Sequence, residues 1–192
     1  SAISYMARKT AIYSRSFNPL HIGHLAIIRY MIKEAGFDMV YLIVSPKNPL
    51  KDGISSSSAL SRFKAAQDAV SRHFDSKVRV DDIEMNMPEP HYTIRTLDAL
   101  KAREPENRFT LIMGADNLAD IRRWRDYKRI LSEYGVAVFP RTGFDLSAVK
   151  EDLLAEDQSY SISLLNAEMV DISSTTIREA LASGQDMSAW LM

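Results

Sequence analysis

Cysteine is absent from the 192 residues, which excludes disulfides, thiolate catalysis and cysteine-built zinc sites. Histidine is scarce, with four residues in all, so two of them close together are informative. Charge of one sign is also missing: 24 Lys and Arg stand against 25 Asp and Glu, a net charge of −1. No global field therefore draws the chain to nucleic acid or to a membrane surface. No apolar run approaches the length of a membrane span or a signal-peptide core. With neither cysteine nor a leader to suggest secretion, the cytoplasm is the expected compartment.

What is present is an ordinary globular composition, 46% hydrophobic and 26% charged, in a length suited to one domain with a real core. A single domain over residues 1–192 is expected, since no repeat or interior linker divides it. Residues 1–7 carry no pattern and read as a disordered or appended start, and 172–192 as a C-terminal helical part.

Along the chain, strand and helix signals alternate. Thr10–Tyr13 is apolar, and Ile22–Ala35 repeats Ile22, Leu25, Ala26, Ile28, Met31 and Ile32 near a 3.6-residue period, with Gly36 as a stop. Met39–Val44 is a continuous apolar run, as expected of a strand buried on both faces. Further helices are expected at Leu60–Phe74, Thr93–Arg103 with Thr93 as cap, Tyr127–Ser132, Leu146–Leu154 and Thr175–Ala182. Further strands are expected at Val78–Ile83, Phe109–Met113 and Val136–Phe139, with weaker candidates at Ser161–Leu165 and Met169–Val170. This order predicts an α/β fold, a doubly wound parallel sheet of Rossmann-like form. The irregular polar segments 14–24, 45–58, 86–92, 114–117 and 140–143 all follow strands. In such a sheet they ring one mouth at the carboxyl edge, where ligands bind.

The densest chemistry lies in the first of these segments, Ser16-Phe-Asn-Pro-Leu-His-Ile-Gly-His24. His21 and His24 are three residues apart at a helix start and share a face. The first turn of a helix adds unpaired N–H groups and the positive end of the dipole, so the segment is suited to phosphate. Near the other end, Ile172-Ser-Ser-Thr-Thr-Ile-Arg178 opens the last helix. On spacing alone this segment is equally a capping sequence, with Thr176 and Glu179 in capping-box register, or a second phosphate site using hydroxyls and the Arg178 guanidinium.

Together the two segments resemble the paired signatures of the nucleotidyltransferase superfamily. Ser45-Pro46, Asn48-Pro-Leu-Lys51, Tyr92-Thr-Ile-Arg-Thr-Leu97, Gly114-Ala-Asp116 and Trp124 resemble, in order and spacing, bacterial nicotinate-nucleotide adenylyltransferases over residues 9–183. The resemblance implies adenylyl transfer from ATP to nicotinate mononucleotide, with Mg²⁺ arriving on the triphosphate. It implies catalytic roles for His21, His24 and Arg178. ATP would be held by Ser16, Phe17, Gly23, Lys51, Gly114, Asp116, Ile172, Ser173, Ser174 and Thr175. The mononucleotide would meet Asn18, Thr93, Trp124 and Arg141. No protein-built metal site, nucleic-acid partner or membrane partner is implied, and the oligomeric state is open to a homo-oligomer.

Other acceptors within the superfamily, nicotinamide mononucleotide or pantetheine phosphate, remain alternatives, as does an inactive nucleotide-binding module. From the residues themselves, Asp116 equally suits capping of the next helix, and Trp124 a partly buried structural role. One position departs from the family: Arg15 stands where a glycine usually precedes the motif serine. If that position requires a positive φ or close approach of a ligand, arginine is strained or obstructive there. The chain also ends at Met192 without the tail common in the family, which reads as a truncation.

Overall fold

The computed structural model describes residues 8–46 and 58–166. Six strands run parallel in the order β3-β2-β1-β4-β5-β6. They are β1 (Lys9–Arg15), β2 (Met39–Val44), β3 (Val78–Asp81), β4 (Arg108–Gly114), β5 (Val136–Phe139) and β6 (Ile162–Leu164). The strand order reverses between β1 and β4, which places the topological switch point at the carboxyl end of β1.

Helices cover both faces. On one, α1 (Ile22–Lys33) and α2 (Ala59–His73) bury Ile27, Ile28, Met31, Ala66, Ala69 and Val70 against Ala11, Tyr13, Val40, Leu42 and Val44. On the other, α3 (Thr93–Arg103), α4 (Ala115–Ala119) and α6 (Leu146–Glu156) bury Ile94, Leu97, Leu100, Leu118 and Leu153 against Ile12, Tyr41, Ile43 and Leu111. The central strands thus alternate between two apolar layers, and for that reason their sequences read as unbroken hydrophobic runs. Among the described residues no helix is long and apolar enough to cross a membrane.

Several boundaries differ from expectation, each for a local reason. β1 runs two residues further than its apolar stretch, because Ser14 and Arg15 still pair with Ile43 and Val44. β3 stops at Asp81, whose carboxylate accepts the Ile83 N–H at 3.0 Å and turns the chain into a tight helical turn at Ile83–Asn86. Thr93 is not the cap of α3. Tyr92 holds that position, without a side-chain bond, and Thr93 is the first helical residue. Gly114–Asn117 is not a free loop but the entry to α4, followed by a second tight turn at Ile121–Arg123. The expected helix at Tyr127–Ser132 begins as α5 (Tyr127–Arg129) and then widens over Ile130–Tyr134, where the Gly135 N–H reaches back five residues to the Ile130 carbonyl at 2.8 Å.

Gly36 ends α1 as expected, at φ 76°, with the Phe37 N–H bonded to the Met31 carbonyl. The expected strand at Met169–Val170 and helix at Thr175–Ala182 lie outside the described residues, as do residues 1–7.

Candidate active site

The turn between β1 and α1 is built around two imidazoles that cap a helix. His21 is the N-cap in extended conformation, and its Nδ1 accepts the Gly23 N–H at 3.1 Å. His24, one turn in, accepts the His21 backbone N–H on its own Nδ1 at 3.1 Å. The pair therefore forms a reciprocal capping box in which histidines replace the usual Ser and Glu. Their rings stack with centroids 3.8 Å apart, and both residues are under 10% exposed.

Burial sets the protonation state of the two rings, and the capping bonds set their tautomer. Burial lowers the His21 pKa to about 4. His24 lies well below the ordinary histidine value, first through burial and then through the neighbouring His21 and the Arg15 charge. Both rings are neutral at pH 7. Since each Nδ1 acts as an acceptor, the hydrogen-bond pattern assigns the proton to Nε2. Among the described residues neither Nε2–H has a hydrogen-bond partner. The site thus holds two oriented, uncharged donors. The Gly23 amide donates to His21 Nδ1.

The Phe17 ring packs into the core beneath the turn. The residue is 3% exposed, with its ring edge-on to Tyr13 at 5.5 Å and to His24 at 5.2 Å. Its backbone, at φ 48°, carries the left-handed conformation of the turn. Arg15 is extended and paired, with its carbonyl accepting the Ser45 N–H at 2.9 Å. The strain anticipated there falls on Phe17 instead. Asn18 is buried at the same turn.

Gly114, Asp116 and Arg141 come together at the carboxyl ends of β4 and β5. A Cβ on Gly114 would lie 2.7 Å from Asp116 Oδ1 and 2.9 Å from the Phe139 ring, so close approach requires the glycine. Asp116 does not cap α4; Gly114 is the cap residue. Asp116 Oδ2 accepts from Arg141 Nη1 at 3.1 Å, and its buried Oδ1 has no partner among the described residues. One acceptor therefore remains for a ligand.

Thr93 and Trp124 are both half-buried. Trp124 packs on the α3 face of the core, and its neighbour Arg125 lies over the Tyr92 ring at 4.7 Å, so the two segments meet. Lys51, Ile172, Ser173, Ser174, Thr175 and Arg178 lie outside the described residues.

Two charged residues at the mouth went unnoticed in the sequence. Glu84, 4% exposed, accepts from Thr96 Oγ1 at 2.7 Å and from Ser14 Oγ at 3.4 Å, joining β1 to α3. Arg62, 3% exposed, donates to the Ser16, Ser45 and Pro46 carbonyls. Arg62 had a visible signal, an arginine on the apolar stripe of α2 with Ala66, Ala69 and Val70. Glu84 had none.

A switch-point helix start that presents paired imidazole donors can now be set beside known proteins. The cytidylyltransferase-like family model matches residues 12–180. A probable nicotinate-nucleotide adenylyltransferase of Bacteroides fragilis is 40% identical over 183 residues, covering 95% of this chain and 87% of that protein. A protein of the same name from Bacteroides thetaiotaomicron is 38% identical over 95% of this chain and 86% of its own length. The chain belongs to the nicotinate-nucleotide adenylyltransferase family. The fold agrees with that of Plasmodium falciparum nicotinic acid mononucleotide adenylyltransferase, solved complexed with NaAD, at a TM-score of 0.72 and 18% identity over 94% of this chain and 87% of that one. In this adenylyltransferase family member, the histidine pair, the Gly114 turn and the Thr93–Trp124 corner all stand along one edge of one sheet.

Proposed function

We propose that this chain transfers the adenylyl group of ATP to nicotinate mononucleotide, releasing pyrophosphate and forming nicotinate adenine dinucleotide, a step of NAD biosynthesis. The observation that carries the reading is the His21–His24 pair, two neutral Nε2–H donors fixed at a helix N-terminus beside the strand-order reversal. Family membership at 40% identity supports the choice of acceptor.

In this reading a phosphate oxygen of the mononucleotide attacks the α-phosphorus of ATP in line. The new P–O bond forms as the bond to the β-phosphate oxygen breaks, and pyrophosphate departs with that electron pair. No side-chain nucleophile enters, so catalysis rests on positioning and on donors aimed at developing charge. Neutral imidazoles suit this role, because they donate without losing a proton to the phosphate and keep their orientation through the capping bonds. The Asp116 Oδ1 atom, buried and without a described partner, accepts from a nucleotide hydroxyl or amine. Arg141, held by Asp116, brings positive charge to the same rim.

Mg²⁺ is part of the proposal. Among the described residues there is no group of three or more His, Asp or Glu suited to a metal. The donor set at the mouth, paired imidazoles with one carboxylate, fits an ion held mainly by phosphate oxygens and water. When bound, the ion neutralises charge on the triphosphate. The test is to mix the chain with Mg²⁺, ATP and nicotinate mononucleotide, then quantify pyrophosphate and dinucleotide. Equal amounts of the two products are expected. ATP binding without either product would instead identify a nucleotide-binding module.

A further inference from the structure

Arg62 stands on the buried stripe of α2, and among the described residues its guanidinium nitrogens donate to three backbone carbonyls. Its Nη1 donates to the Ser16 carbonyl at 2.7 Å and to the Ser45 carbonyl at 2.6 Å, and its Nη2 donates to the Pro46 carbonyl at 3.1 Å. Ser16 follows β1, whereas Ser45 and Pro46 follow β2. One planar fork therefore joins the chain segments leaving two neighbouring strands at the mouth.

The Ser16 carbonyl belongs to the peptide that leads into Phe17, whose φ of 48° is disfavoured for a residue with a bulky side chain. A bond that anchors this carbonyl resists relaxation of the turn. The Phe17 ring lies 5.2 Å from the His24 ring at an interplanar angle of 79°. His24 in turn stacks on His21 at 3.8 Å. Contacts run without a gap from the guanidinium through the turn to both imidazoles.

We propose that Arg62 is a positioning residue for adenylyl transfer: acting through the Ser16 carbonyl and the Phe17 ring, it holds the His21–His24 pair in the orientation that serves the transferring phosphoryl group. Arg62 itself touches no reacting atom, and the proposal rests on the adenylyl-transfer reading above. Preorganised donors lose much of their value when displaced by a fraction of a bond length. Lysine keeps the charge but radiates its donors from one nitrogen, so it does not reproduce a fork over three carbonyls.

The test compares Arg62→Lys with Arg103→Lys. Arg103 bonds Asp81 and Glu104 and makes no bond to the Ser16–Leu20 turn, so it controls for loss of a cross-linking guanidinium. Three quantities are read: kcat, KM for each substrate, and the imidazole ¹⁵N shifts of His21 and His24. For Arg62→Lys, kcat is expected to fall about tenfold to a hundredfold with KM changed less than about threefold, and both imidazoles are expected to shift. Arg103→Lys is expected to lower thermal stability with kcat and imidazole shifts unchanged.

A folded Arg62→Lys with unaltered imidazole shifts, or with kcat within about twofold of the parent, overturns the proposal. If Arg62→Lys does not fold, Phe17→Leu, which cuts the relay and leaves Arg62 in place, is expected to give the same signature; unchanged shifts there overturn it too. A parent chain that makes no dinucleotide defeats the functional reading instead, and the imidazole shifts still decide whether Arg62 positions the pair.

Discussion

Neutral buried histidines make the active-site turn sensitive to acid in a way that can be calculated. In the folded chain the His21 pKa lies at about 4, against about 6.5 in an unfolded one. Above pH 6.5 the ring is neutral in both states, and its full contribution to stability is present. As pH falls from 6.5 toward 4 the unfolded chain takes up a proton that the folded chain refuses, so the free energy of unfolding decreases. Below about 4 both states are protonated and the loss stops. At pH 4.5 the linkage relation gives a loss of about 2.5 kcal/mol from this one group.

The perturbation that isolates the effect is His21→Asn, since asparagine is a favoured N-cap and does not titrate. Urea unfolding followed by tryptophan fluorescence at pH 7 and pH 4.5 measures both proteins. The parent is expected to lose about 2 to 3 kcal/mol more than the variant between the two pH values. His24 titrates in both proteins and largely cancels. Equal losses would refute the assignment of neutral, Nδ1-accepting rings and would remove the basis for two Nε2–H donors.

Three further outcomes follow from the same geometry. His24→Ala is expected to lower turnover about a hundredfold or more, near 3 kcal/mol of transition-state stabilisation, with the far-ultraviolet circular dichroism spectrum retained; pyrophosphate release at saturating substrate is the check. Gly114→Ala places a methyl group 2.7 Å from Asp116 Oδ1 and 2.9 Å from the Phe139 ring, so it is expected to destabilise by about 1 to 3 kcal/mol and to raise KM for ATP, read by thermal melting and steady-state kinetics. Arg15→Gly is expected to bring no gain in turnover, because Arg15 is already extended and paired with Val44; a severalfold increase in pyrophosphate release would show that the arginine obstructs the site.

The layer architecture was legible because both apolar faces of β2 are buried, leaving Met39–Val44 with no polar interruption. The His21–His24 pair was legible because its spacing is helical and histidine is rare in the chain. Other features depended on contacts distant in sequence. Phe17 reads as a motif residue, and only the packing of Tyr13 and His24 around it shows that its ring belongs to the core. The position of Arg15 looked like a turn because its neighbours are polar, yet pairing with β2 carries the strand through it. Glu84 lies between Ser14 and Thr96, separated from them by 70 and 12 residues, a relation no local pattern encodes. The reciprocal Nδ1 bonds, which set the chemistry of the histidine pair, depend on ring orientations that spacing leaves open.

The central claim concerns the acceptor, and its most direct test is pyrophosphate release with ATP and Mg²⁺ in two parallel reactions, one supplied with nicotinate mononucleotide and one with nicotinamide mononucleotide. The account predicts a clear preference in kcat/KM for the nicotinate acceptor. Preference for the nicotinamide form would contradict it.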